Sequence, residues 1–494
     1  MPKSKKVIVI GAGFAGLSAS CYLAKSGFQV TLLEKNDALG GRARMFEDEL
    51  GLGFKFDMGP SWYWMPEVFE KFFGDFNKKP SDYYQLIQLD PAFQMFTTHS
   101  TLNFPAKIED IFELFEKYES GSSKALKQFL EDGKSNYENG INDYMLRPSK
   151  SIFEFASLEF LNGVLRGGIL KSYGAQINKK FQSSVLRELL KFPVLFLGGK
   201  PDDIPYLYNL LAYSMFDSGT LYPMGGMNKI VEAMAALATE LGVEIRTNCT
   251  VAKINIENQE ATSVLIEVGE IIECDSLIAG ADYHHVEQKL LEPKYRRYTE
   301  DSWNRRVMSP SSLVFYLGVK GRVGGLEHHN LFFDTSFDKH AESIYDTKIW
   351  PEKPLFYVCC PSKTDSSVAP VDCENLFVLI PLAPGIEDNE AIREKYFKII
   401  LERVESKLNI TLQDKIIYKR SYCLKDFEHD YNSYKGNAYG LANTLSQTAI
   451  FKPSIHIPKV KNMFYAGQLT VPGPGIPPAI YSGKIAAGQV QGLN

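Results

Sequence analysis

The chain has 494 residues, 45% of them hydrophobic and 23% charged, which excludes a small stapled scaffold, a fibre and a disordered segment and implies two or more cores or one large composite domain. With 54 basic against 59 acidic residues the formal charge is −5, a balance that disfavours nucleic acid as a ligand. The seven cysteines are odd in number and scattered, with no CxxC pair and no histidine at ligand spacing. They read as a reducing compartment, with no metal site and no disulfide framework.

Lys3, Lys5 and Lys6 ahead of the apolar run Val7 to Leu17 have the outline of a secretion signal. The glycines inside that run account for it better. Lys6 to Ile10 is a β-branched apolar run, as expected of a buried parallel strand. Gly11, Gly13 and Gly16 follow in GxGxxG spacing, Leu17 to Ser26 has helical periodicity with Gly27 as its stop, and a second strand, Gln29 to Leu33, ends at Glu34. Gly11 permits the tight turn, Gly13 lets the backbone approach a pyrophosphate, and Gly16 lets helix pack on strand. Glu34 stands where a carboxylate bonds a ribose 2′-hydroxyl. In this order these features predict a dinucleotide site.

Two further elements follow, Gly40-Gly41-Arg42 with Arg44, and Phe56-Asp-Met-Gly-Pro-Ser-Trp62. The two arginines are placed to neutralise a second part of a diphosphate. No later GxGxxG follows a strand, which disfavours reductases with two dinucleotide folds. From about Pro66 to Met215 the pattern turns mainly helical, with spans at Lys107 to Tyr118, Ser122 to Asn136, Ile152 to Leu165, Val185 to Leu197 and Ile204 to Phe216. The aromatics Phe192, Phe196, Tyr206, Tyr208, Tyr213 and Phe216 read singly as core. As a group they are a candidate apolar tunnel or bilayer contact.

A helix is predicted over Asn228 to Glu240, then strand, turn, strand from Val243 to Ile254, and strands at Thr262 to Val268 and Ser276 to Ala279, ending in Gly280-Ala-Asp282. These read as a return to the first sheet, making the dinucleotide domain discontinuous. Runs at Leu313 to Val319, Leu355 to Cys360 and Leu376 to Leu382 predict a second, largely antiparallel sheet. Asn462 to Gly467 reads as a strand ending in glycine, followed by a helix with Pro477 and Pro478 in its first turn. The longest uncharged segment, Asn462 to Gly483, is too rich in proline and glycine to span a membrane as one helix.

Four blocks together resemble the carotenoid desaturase family, of the bacterial phytoene desaturase type that includes hydroxycarotenoid 3,4-desaturases. They are the N-terminal fingerprint through Trp62, Leu89-Asp-Pro-Ala-Phe93, the stretch from His328-His329-Asn330 through Tyr357 to Asp365, and Gly436 to Leu441 with the Gly467 and Gly475 to Ala487 ending. The resemblance implies an α/β fold: a Rossmann-like FAD-binding domain of the amine oxidase type, a mixed-sheet substrate domain and a helical membrane-facing subdomain. The expected divisions are 1–70, 220–292 and 455–494 for FAD, 71–106 and 293–454 for the sheet, and 107–219 for the helices.

The implied chemistry is removal of two hydrogens from a C40 polyene. The substrate is either phytoene-like or a hydroxylated acyclic end group, and oxygen or a quinone is the electron acceptor. The implied setting is peripheral, on the cytoplasmic face of a membrane. The residues implied to hold FAD are Gly11, Gly13, Ala15, Gly16, Glu34, Lys35, Gly41, Arg42, Gly59, Pro60, Ser61, Val251, Asp282, Gly467, Gly475 and Ile476. No general base and no metal are expected; His284 and His285 read as helix-start residues. The competing readings are a flavin amine oxidase and a flavin-free prenyl-binding protein of the same fold, such as the Rab GDP-dissociation inhibitors.

Overall fold

The computed structural model describes residues 5–142, 144–149, 171–195 and 198–493. The apolar run Lys6–Ile10 forms the centre of a five-stranded parallel sheet in the order Met463–Tyr465, Ser276–Ala279, Lys6–Ile10, Gln29–Leu33, Glu244–Arg246. Register brings the carboxyl ends of the strands level: Ile10 pairs with both Leu33 and Ala279, Ala279 with Tyr465, and Leu33 with Arg246. Main-chain bonds from Gly11 to Leu33, Gly280 to Ile10 and Ala466 to Ala279 carry the ladder one residue further. The turns that follow therefore all start at one edge.

The sequence places the first helix at Leu17, yet it begins at Phe14 and runs to Lys25. The GxxG turn is itself the first helical turn, since glycine's weak helix propensity yields to packing here. That helix crosses Ile476–Gln491 at close range. A Cβ built on Gly483 would stand 2.2 Å from the Ala15 carbonyl oxygen, and Ser18 Oγ donates to the Ile480 carbonyl at 2.7 Å. The two ends of the chain are locked together.

Val251–Glu257 and Glu260–Ile266 do not return to this sheet. With Ile271–Glu273 they form a separate antiparallel meander, because the two-residue turn at Asn258 and Gln259, both at positive φ, favours a hairpin over a crossover. The second sheet has seven strands, in the order Ile416–Tyr422, Ser311–Lys320, Cys373–Leu382, Phe356–Cys359, His329–Phe333, Phe93–Thr97, Thr101–Phe104. All of its pairings are antiparallel except His329–Phe333 with Phe93–Thr97. The helices Ile108–Tyr118, Ser122–Asn142, Ser184–Leu195 and Asn209–Asp217 cover one of its faces. The expected span Ile152 to Leu165 lies outside the described residues.

The aromatic segment corrects one expectation. Phe192, Tyr206 and Phe216 are buried. Phe192 packs on Phe93 at 5.4 Å and Phe216 on Phe104 at 5.2 Å, while Tyr206 donates to Asp132 at 2.9 Å. Helical periodicity carries the stripe Leu186, Leu189, Leu190 and Phe192 towards the sheet. These side chains are core and cannot reach a bilayer; Tyr208 and Tyr213 are half-buried, and Phe196 lies outside the described residues.

Gly483→Ala is expected to lower unfolding free energy by about 1–3 kcal/mol, the usual cost of overpacking. Gly488→Ala in the same helix, where an added Cβ meets nothing within 4 Å, serves as the control and is expected to be neutral or slightly stabilising. Urea denaturation of both variants checks the difference.

Candidate functional site

The level strand ends open into one cavity of about 830 Å³. Of the residues expected at the site, Gly11, Gly13, Ala15, Glu34, Lys35, Gly41, Arg42, Gly59, Pro60, Ser61, Val251, Asp282, Gly467, Gly475 and Ile476 all line it. Gly16 does not. A Cβ there would fall 1.9 Å from the Gly11 carbonyl oxygen, so its bare Cα is what lets the helix sit on the turn. Gly13 is the opposite case, with nothing within 4 Å of an added Cβ: the missing side chain leaves cavity.

Glu34 is buried. Its Oε2 accepts the Ala12 N–H at 2.8 Å and its Oε1 accepts from Asn36 N at 3.0 Å and Nδ2 at 2.9 Å. The carboxylate thus ties the first turn to the second strand while still facing the cavity. The Gly40 N–H bonds the Ala12 carbonyl at 2.8 Å, and a Cβ on Gly59 would meet the Arg42 carbonyl at 2.7 Å, so the two downstream motifs stack directly against the first turn. Asp57, inside the second of them, accepts the N–H groups of Met227 and Asn228 at 2.7 and 3.0 Å and so caps a distant helix; burial pushes its carboxyl up to about 7.

Arg42 is held by Ser433 Oγ at 3.0 Å, by the Asn437 carbonyl at 3.1 Å and over the Tyr431 ring. Its Nε is buried without a partner. Arg44 has a different place from the one expected: it pairs with Asp430 at 2.7 Å and is not among the lining residues. Lys35 donates to the His429 carbonyl at 2.6 Å. Asp282 caps the His285 N–H at 3.1 Å and accepts the Tyr434 N–H at 3.2 Å; burial raises its carboxyl, with Arg42 and His284 opposing. His284 pairs with Glu300, whereas His285 lines the cavity and is lowered to about 4 by burial.

Two helix N-termini converge on the same space. Phe14–Lys25 and Ile476–Gln491 begin at Gly13 and Gly475, no side chain caps either, and their first residues line the cavity. Each presents the positive end of a helix dipole there. Ser482 Oγ accepts the Gly467 N–H at 2.9 Å and donates to the Val471 carbonyl at 2.7 Å, clamping the intervening loop onto the helix.

The far end is aromatic and aliphatic: Trp62, Trp64, Phe192, Leu207, Leu211 and Leu379. Under Trp62 lies a polar seam that sequence reasoning left without a role. The His329 ring stacks on Trp62 at 4.0 Å, and its Nδ1 is 2.6 Å from the hydroxyl of Tyr357, a lining residue. His328 Nδ1 meets Thr364 Oγ1 at 2.8 Å, and Cys359 Sγ is 3.7 Å from His329 Nδ1. Both histidine Nε2 atoms are buried without partners. Burial lowers His328 to about 3 and His329 well below the usual imidazole range, so both are neutral near pH 7. The sequence signal was the pair His328-His329 in one block with Tyr357; only strand pairing reveals the contact.

The profile of the family described as flavin containing amine oxidoreductase matches residues 14–491. A carotenoid 3,4-desaturase of Haloarcula japonica is 37% identical over 483 residues, 97% of each chain. A zeta-carotene-forming phytoene desaturase of Myxococcus xanthus is 29% identical over 490 residues, 98% of this chain and 93% of that one. The crystal structure of an oxidoreductase from Methanosarcina mazei superposes with a TM-score of 0.62 at 16% identity, covering 97% of this chain and 99% of that chain, a likeness of fold. The residues present fit a flavin dinucleotide: the gap at Gly13, the unpartnered Arg42 Nε and two uncapped helix N-termini all suit a diphosphate.

Glu34→Ala is expected to leave the buried Ala12 N–H without its acceptor and to lower unfolding free energy by about 1–3 kcal/mol. It should also weaken flavin binding about ten- to hundredfold, one charge-assisted bond. Fluorescence titration of the apoprotein, paired with a melting curve, measures both losses.

Proposed function

The chain belongs to the flavin containing amine oxidoreductase family, and from that premise we propose that it desaturates the 3,4 bond of a hydroxylated acyclic end group of a carotenoid. It is an FAD-dependent carotenoid desaturase, an oxidoreductase acting on carbon–carbon bonds. The observation that carries the reading is continuity: one cavity joins a glycine-lined polar end to an end walled by Trp62, Trp64, Phe192 and Leu379. A phytoene-like hydrocarbon is the alternative substrate. The 3,4 assignment is favoured because the relative of that name is 37% identical, against 29% for the phytoene desaturase of Myxococcus xanthus. An amine oxidase would need a polar or aromatic cage around a cationic amine near the flavin; Trp62 and Trp64 supply rings, but the carboxylates that line the cavity among the described residues, Glu34, Asp282 and Asp430, include none beside those rings.

In this reading the backbone of Gly11, Gly13 and Ala15 takes the diphosphate together with Arg42 Nε. Glu34 takes the ribose, with Lys35 beside it, and Val251 lies against the adenine. Gly41, Gly59, Pro60, Ser61, Gly467, Gly475 and Ile476 border the flavin ring, with Asp282 behind them. Bound FAD supplies a hydride acceptor. Desaturation would pass a hydride to that acceptor and release a proton from the neighbouring carbon to solvent, leaving a double bond. The protein's part is alignment in a dry space: Trp62, stacked on His329 and packed on Phe93 and Phe192, closes the wall against water. Tyr357 and His329 share a proton at that wall as a neutral pair.

We propose further that 1–70, 220–292 and 455–494 form the FAD-holding unit, with 71–106 and 293–454 completing the polyene site. Oxygen or a quinone is the proposed electron acceptor. No helix of the described residues is long and apolar enough to cross a membrane; collection of so insoluble a substrate is proposed to occur at the membrane surface.

Purified protein is expected to be yellow and to release all its flavin into the supernatant on acid precipitation; colour retained in the pellet would contradict non-covalent FAD. Co-expression in cells making a carotenoid with a hydroxylated acyclic end group is expected to lengthen the chromophore by one double bond, read by absorbance and mass. Conversion of phytoene with none of the hydroxylated pigment would move the assignment to the alternative substrate.

A further inference from the structure

A second cavity, of about 560 Å³, adjoins the first, and Ser149, Ile450 and Val471 line both. Among the described residues its charged lining is of one sign: Arg297, Lys452 and Lys461 with the titratable His456, and no Asp or Glu side chain. For a chain with net charge −5 this is a local reversal. Lys452 is 4% exposed, and the acceptor its Nζ reaches among the described residues is Asn443 Oδ1, at 2.8 Å. An ammonium carries three donors, and a buried cation is ordinarily paired with an anion. Burial accordingly lowers Lys452 to about 7. Around this cationic hollow two large apolar side chains stand out in the open: Phe451, on the first cavity, is 59% exposed, and Leu493, on the second, is 48% exposed. Positive charge ringed by exposed apolar groups matches the headgroup and acyl boundary of an anionic bilayer.

We propose that this cavity binds the phosphate headgroup of an anionic phospholipid through Lys452, Lys461 and Arg297, with Phe451 and Leu493 in the acyl boundary, so that the neighbouring cavity opens at the bilayer surface. The link to polyene uptake rests on the desaturase reading; the headgroup site itself does not. Lys452 is the innermost contact, and Asn443, which holds it, lines the larger cavity.

The test is flotation of the FAD-loaded full chain with phosphatidylcholine vesicles, with and without phosphatidylglycerol. The wild type is expected to prefer the phosphatidylglycerol vesicles. Lys461→Gln and Arg297→Gln, both at exposed positions, are each expected to weaken that binding about fivefold, the worth of one charge near such a surface. Lys452→Met should weaken it as much while leaving the melting temperature equal or higher, because it replaces a buried charge that lacks an anion. Equal flotation on both vesicles, or variants that bind phosphatidylglycerol like the wild type, overturns the proposal. Calorimetric binding of inorganic phosphate that Lys452→Met abolishes, without any lipid preference, assigns the hollow to a soluble anion and overturns it too. Desaturation of carotenoid in detergent micelles is expected to be unchanged in all three variants. Its absence from the wild type would defeat the desaturase reading and leave the vesicle result standing.

Discussion

The site depends on a contact that only a bare Cα can make. With Gly16 seated against the Gly11 carbonyl, the first helix starts directly above the first turn. That brings its uncapped N-terminus, the Gly13 gap and the Glu34 carboxylate into one small volume. Any side chain at Gly16 would lever the helix away, and Ala12 would lose its bond to Glu34. The Gly40 turn, bonded to Ala12, and the Gly59 segment, pressed on Arg42, inherit their positions from the same contact. Turn geometry thus propagates through backbone contacts, not side-chain chemistry.

Electrostatics follow from this layering. At the polar end the positive elements among the described residues are dipole ends, the Lys35 ammonium and the Arg42 guanidinium, whose Nε is left unpaired, an arrangement suited to an anion that arrives with its own charge. At the other end the titratable groups are silenced. His328, His329 and Tyr357 are buried deeply enough that each keeps its neutral form near pH 7. A cavity that separates charge from hydrocarbon in this way is suited to a dinucleotide and an apolar substrate set end to end, with no unpaired charge between them.

Much of this was legible in the chain. The strands at Gln29–Leu33 and Ser276–Ala279 and the helix Asn228–Glu240 have the bounds that periodicity gives them, because each is bracketed by glycine, an acidic residue or a turn. The residues expected at the dinucleotide end were readable as lining one cavity because their motifs specify backbone shape. What escaped depends on contacts distant in sequence. Nothing local says that Arg44 is taken by Asp430, or that Tyr357 meets His329 across paired strands. Lys452 is the extreme case, a loop lysine that composition would put on the surface and that the fold buries. The aromatics from Phe192 to Phe216 misled for the reverse reason: density of rings is compatible with either face of a helix, and only the facing sheet decides.

The order of strands across the parallel sheet has a consequence for how the protein comes to exist. Its edge strand, Met463–Tyr465, and the helix Ile476–Gln491 that locks onto the first helix are made after the other four strands of that sheet. Until they leave the ribosome, Ser276–Ala279 is itself an open edge, and the nascent chain lacks both the wall at Gly467 and the second helix dipole. A chain cut before Met463 would keep four strands of the sheet and lose one wall and one helix dipole of the cavity.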